Sequence, residues 1–249
     1  MLAVVTPLDD LLSERGFRPG AVVAVGGASG STSLMLGLLA GPLSHGGWGA
    51  VVGMPGLGIE AAAAAGVSLE RLVLVPGCLS PGCLAPGWLE TGWLEVVATL
   101  LGGFEVVALR PPGRCRAGDA RRLAARARQS GSVLLLAASA RAWPEPVDVE
   151  MVVTAPAWHG LDAGHGNLSY RMVEVRSTGR RAAGRERRVQ LLLPATDGGF
   201  GEAALPVAGV AGVAGVAGVA GVEPGTKTGE PNVDTVYIRF PSFFSGVAS

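Results

Sequence analysis

Residues 26–33 read Gly-Gly-Ala-Ser-Gly-Ser-Thr-Ser and lie between two apolar runs, Ala21–Gly26 and Leu34–Gly41. An apolar strand, a glycine-rich turn and an apolar helix form the layout of a phosphate-binding loop, in which backbone N–H groups and a helix N-terminus face an anion. Set against the pattern G-x-x-x-x-G-K-[ST], Gly30 takes the second glycine place and Thr32 the Ser/Thr place. Ser31 stands where the lysine belongs, and the first glycine place falls on Val25, with Gly26 beside it. That lysine meets the β- and γ-phosphates as a compact charge. The only lysine of the chain, Lys227, lies far away near the C-terminal end. An arginine could approach instead, but its planar fork does not replace an ammonium.

The carboxylates of a hydrolytic phosphate-loop enzyme are absent from their expected places too. Magnesium needs an acid at the end of a core strand, yet the strand at 104–109 ends in Leu109 and Arg110. A water-activating acid would follow the run Gly49–Gly53, where Met54, Pro55 and Gly56 stand, and the first acid after it is Glu60, inside a helix. Gly30 and Thr32 are therefore read as a vestigial nucleotide site that keeps the shape of a cradle without its charges. No catalytic residue, cofactor or metal is expected.

Two other groups of residues could bear chemistry. His159, Asp162 and His165 have ligating side chains, but Gly160, Gly164 and Gly166 around them point to a tight turn between strands. No G-x-S-x-G elbow frames a nucleophile near these histidines. Cys78, Cys83 and Cys115 are odd in number and lack zinc-site spacing, which argues against both a disulfide framework and a structural zinc.

Formal net charge is +0, so no general pull toward nucleic acid operates, but the arginines cluster. Seven lie in 110–128 against Asp119, and seven in 171–188 against Glu174 and Glu186. Both stretches read first as solvated faces, although a local basic patch can meet an anionic partner. In the first, Arg122 and Arg126 share a helical stripe while Leu123 and Ala127 turn to the sheet. Arg122 and Arg126 are the candidate contacts to a partner, with a protein favoured over DNA.

The elements that must position these residues follow from apolar periodicity. Continuous apolar runs at 21–25, 49–55, 71–75, 104–112 and 132–139 predict five strands buried on both faces. Between them, helices are expected at 32–41, 58–67, 93–103 and 118–131, with a short amphipathic helix at 8–17 before the first strand. Segments 147–156, 168–179 and 187–194 alternate more and predict antiparallel strands finishing one edge. The fold class is α/β: a mostly parallel sheet flanked by helices, with antiparallel strands at its C-terminal edge. A core this apolar, with hydrophobic residues at 49% and mean hydropathy +0.41, needs no staples.

Two segments stand apart. Residues 76–95 repeat a Gly-Cys/Trp-Leu unit, a local duplication lengthening one connection. Residues 207–222 carry glycine at every third place in a Val-Ala-Gly repeat, and 223–249 show no dependable period. Residues 1–200 are thus expected to form the folded domain and 201–249 a disordered tail dispensable for it. The N-terminal sequence meets Asp9 and Asp10 without a basic region, and no apolar run reaches membrane-spanning length. A cytoplasmic protein is expected.

The element order, the phrases Ala61–Val75 and Ala120–Ser139, and the segment Ala155–Leu168 resemble the RecA ATPase core, over about residues 8–195. Within it, the chain is similar to the RecA-like ImuA group of actinobacteria, whose nucleotide motifs are often eroded. The resemblance implies an accessory role in SOS-induced translesion mutagenesis, beside a Y-family-type polymerase homologue and an error-prone replicative-type polymerase. Two other functions stay open at this point: an active DNA-dependent ATPase or recombinase of RecA type, and a SulA-type cell-division inhibitor.

Overall fold

A computed structural model describes residues 1–75, 92–113, 115–162, 165–180 and 186–203, with only the backbone described at 161–162 and 165–167. Among these residues one sheet has nine strands: β3 (Val22–Gly27), β4 (Gly49–Val52), β5 (Leu72–Val75), β6 (Val106–Leu109), β7 (Val133–Leu136), β8 (Val149–Asp162), β9 (His165–Gly179), β10 (Arg187–Leu192) and β11 (Gly201–Glu202). Their order is β11-β10-β9-β8-β3-β7-β6-β4-β5. From β8 to β5 every pairing is parallel. β9, β10 and β11 then continue antiparallel. The expected architecture is present, with one refinement: segment 147–156 enters as β8, parallel to β3 and antiparallel only to β9.

Alternation along the strands sorts the core into two layers. Val23, Val25, Val51, Leu74 and Leu135 pack toward helix α1 (Ser31–Ser44). The small helix α2 (Ile59–Ala64) joins them through Ala62. Val22, Val52, Val107, Leu134 and Leu136 face the other way. There they meet α3 (Trp93–Leu100) and α4 (Ala117–Ser130), which contribute Val97, Leu100, Ala120, Leu123 and Ala127. Each buried Leu or Val contributes about 1.5–3 kcal/mol. Gly131, at φ 78°, closes α4 in the left-handed region that glycine adopts without strain.

Three local expectations are corrected. Residues 8–17 form only a 3-10 turn, Leu8–Leu11. The chain then reaches β2 (Gly16–Phe17), which pairs with β1 (Leu2–Ala3). With so short a segment, pairing to β1 and burial of Leu8, Leu11 and Phe17 outweigh helical spacing. α1 does not stop at Gly41 but runs to Ser44. That glycine serves close approach instead: a Cβ there would lie 2.5 Å from the Ala3 carbonyl oxygen. Finally, β11 lies beyond residue 200, with Glu202 facing Leu191 and Ala203 buried, so the sheet runs past the boundary drawn from sequence.

The candidate loop and its arginine brace

β3 delivers the chain into the glycine-rich turn at the C-terminal end of the parallel sheet, where α/β proteins place their ligand crevices. Gly27 (φ 108°) and Gly30 (φ 118°) both take backbone conformations that side chains resist. A Cβ on Gly27 would also collide with the Val153 carbonyl oxygen, which accepts the Ala28 N–H at 2.8 Å. The turn is thus tied to β8. Ser31 donates its N–H to the Ala28 carbonyl at 3.4 Å, and Gly30 caps α1.

A cleft of about 310 Å³ opens on one side of this turn, lined among others by Ser31, Thr32, Met54, Arg110 and Ser139. Thr32 faces it and is exposed, whereas Gly30 is buried and does not line it. None of the described lining residues is an acid. Arg110 follows the end of β6, at the place where a magnesium-binding carboxylate would stand. The carboxylate of Glu150, on β8, accepts the N–H of Ala140 next to Ser139 at 3.0 Å. The loop therefore faces a cleft whose fixed charge is a guanidinium, with a helix N-terminus beside it.

The other flank of the loop holds a residue that the sequence reading left in a solvated stretch. Arg171, on β9, is 6% exposed. It donates from Nη1 to the Ser29 hydroxyl and from Nη2 to the Ser33 hydroxyl, each at 2.9 Å. Its guanidinium lies 4.8 Å from the centre of the Trp158 ring, a cation–π distance. Nε has no hydrogen-bond partner, and among the described residues no acid forms an ion pair with this cation. Burial accordingly pushes its pKa below the usual arginine value. A Cβ on Gly30 would come within 3.4 Å of Nε and Nη2, so the glycine lets the guanidinium lie against the turn. A second arginine thus approaches the loop, as a brace from β9 on the flank opposite Arg110 and the cleft. The signal was alternation: Arg171, Val173, Val175 and Ser177 share the inward phase of β9, and all four are buried.

Arg122 and Arg126 both lie on α4, as the helical stripe requires. Arg122 pairs with Glu95 of α3 at 2.9 Å, and Arg126 donates to the Ala98 carbonyl at 3.3 Å. They line the junction of two helices of the same chain, with Arg122 still half exposed. His159 sits within β8, stacked on Tyr170 of β9 with ring centres 4.8 Å apart. Asp162 and His165 are Cα partners across the end of that hairpin. The pairing of β8 with β9 thus reaches Asp162 and His165, and the turn expected between them, at 163–164, lies outside the described residues. No group of three or more metal-ligating side chains occurs among the described residues. Cys78, Cys83, most of the duplicated segment and the 204–249 tail lie outside them. Cys115 is half-buried, and burial, reinforced by the nearby Asp119, pushes its thiol up to about 11.

A family model described as the MT3502 N-terminal domain matches residues 10–145. The chain is 35% identical over 113 residues to the uncharacterized protein Rv3395c of Mycobacterium tuberculosis (strain ATCC 25618 / H37Rv). That match covers 45% of the chain and 50% of the relative, so the chain spans about half the length of that curated relative. Among solved structures, the RadB recombinase superposes with a TM-score of 0.58 at 16% identity, over 82% of this chain and all of that one. The likeness shows a RecA-like fold. No helix among the described residues is long and apolar enough to cross a membrane.

Proposed function

The chain belongs to the MT3502 N-terminal domain family, and from its RecA-like fold and its cleft we propose that it is a non-catalytic accessory protein of SOS-induced translesion mutagenesis, working in the cytoplasm. In this reading it is a scaffold that binds a Y-family-type polymerase homologue and an error-prone replicative-type polymerase. The resemblance to the ImuA group supplies the partners. The observation that carries the non-catalytic part is the charge of the cleft.

Phosphoryl transfer in this fold needs a cation on the phosphates and a carboxylate holding magnesium. Ser31 offers a hydroxyl in the first role, and Arg110 stands in the second, where its charge repels a divalent cation. Gly30 and Thr32 keep the turn and one hydroxyl, which give shape without charge. In this reading no catalytic set among the described residues accounts for the chain, and its work falls to its surfaces, among them the α3–α4 junction bearing Arg122 and Arg126.

Two measurements test the proposal. Purified protein should show no ATP turnover above background with or without single-stranded DNA. Affinity capture from DNA-damaged cells should retain both polymerases. Hydrolysis by the wild type that Thr32→Ala abolishes would instead make the chain an active ATPase, and capture of the division tubulin in place of the polymerases would make it a division inhibitor.

A further inference from the structure

At the opposite end of the sheet from the loop, a pocket of about 340 Å³ opens beside the start of β3. Its floor is apolar: Pro19 and Val149 are accessible, backed by the buried Leu11, Phe17 and Val23. Four arginines, Arg18, Arg128, Arg180 and Arg187, also line it, brought from the β2–β3 turn, the end of α4 and the two flanks of the β9–β10 connection. Two acids share the lining, and both are engaged: Glu14 pairs with Arg18, and Asp148 accepts the Val22 N–H at 3.0 Å. Arg187 donates to the Asp10 carbonyl at 3.3 Å. Among the described residues, the side chains of Arg128 and Arg180 have no hydrogen-bond or ion-pair partner, and both are exposed.

An apolar hollow calls for an apolar side chain, and uncompensated guanidinium groups on its rim call for carboxylates. A nucleic acid would satisfy the rim and leave the floor empty. A purely apolar segment would fill the floor and leave the cations without counter-charge. We propose that this pocket docks an acidic peptide segment of a partner protein, with one bulky apolar residue seated against Pro19 and Val149 and flanking carboxylates on Arg128, Arg180 and Arg187. The proposal rests on reading the chain as a partner-binding protein, but it does not depend on the state of the loop.

The probe is a fluorescein-labelled peptide Glu-Asp-Leu-Phe-Asp-Glu, titrated by anisotropy against the full chain. Controls replace its acids with lysine or its Leu-Phe pair with serine. Binding should weaken about tenfold in either control, and again when salt rises from about 0.05 to about 0.5 M. The double variant Arg128→Glu with Arg180→Glu should lose about tenfold or more in affinity. Because these side chains hold no internal partner, its melting temperature should stay that of the wild type; a fall would show the pair to be structural and overturn the proposal. So would equal binding of the lysine peptide, undiminished binding by the variant, or no binding of the acidic peptide. Self-association abolished by the same variant would make a second copy the occupant and overturn it as well. Capture of the polymerases alongside a failed peptide assay removes this pocket and leaves the scaffold reading intact, whereas peptide binding without polymerase capture removes the named partners alone.

Discussion

Replacing Arg171 by methionine tests what a buried cation without an acidic partner contributes. Its two hydrogen bonds to Ser29 and Ser33 are of the charged kind, about 1.5–3 kcal/mol each. Its stacking on Trp158 adds about 1–2 kcal/mol, since the cation is buried but the ring is partly exposed. Against this stands the loss of hydration, several kcal/mol for an ion as buried as this one. Methionine keeps the length and most of the packing and removes both sides of the balance. The hydroxyls left behind are not stranded, because Ser29 is exposed and Ser33 half-buried. The expected cost is about 0–2 kcal/mol, a fall of no more than about 8 °C in melting temperature for a domain of this size. Arg171→Glu should behave differently, because it buries a carboxylate with no described cation to meet it, at a cost of about 3–5 kcal/mol, centred on a fall of about 12 °C. Scanning calorimetry of both variants decides. If methionine is as damaging as glutamate, the hydrogen bonds dominate and the balance drawn here is wrong.

Other outcomes follow from the same geometry. Ser31→Lys alone should leave ATP turnover at background in a phosphate-release assay, since Arg110 still stands where magnesium's carboxylate would be; turnover gained by this single change would show that the lysine alone was missing. Gly27→Ala meets both a φ of 108° and the Val153 carbonyl, and should cost more than about 3 kcal/mol, read as a lower denaturant midpoint or loss of soluble protein. Cys115 has its thiol pushed up to about 11, so alkylation followed on its own peptide by mass spectrometry should be slow at pH 8 and rise about tenfold per pH unit toward pH 11, because only the thiolate reacts. Reversing Arg122 and Arg126 to glutamate places like charge against Glu95 but at an exposed site, where about 1 kcal/mol or less is expected; partner capture by the folded variant should fall, and capture at wild-type level removes α4 from the interface.

The parallel half of the sheet was legible because its strands are covered on both faces and so read as unbroken apolar runs, each ended by a turn residue. Failures came where local pattern competes with a long-range partner. Residues 8–17 carry helical spacing, but Gly16 finds a partner in Ala3 across the chain. Gly41 looks like a helix stop and is a packing glycine under Ala3. β11 is two residues long and has no pattern of its own to detect. At the candidate site, the sequence disclosed what the loop lacks, since motif positions are local. It did not disclose Arg171 as the brace, because counting that residue among seven arginines hid its place in the inward phase of β9.

That brace has a mechanical side. Trp158 and Leu168 stand exposed on the outer part of the β8–β9 arm, at 43% and 50%. Trp158 rests on the guanidinium that grips Ser29 and Ser33, while Val153, further down the same strand, holds Ala28. The arm and the turn are therefore joined at two points along one lever. The arm thus holds the turn on both sides of Gly30, through Ala28 and Ser29 before it and through Ser33 after it.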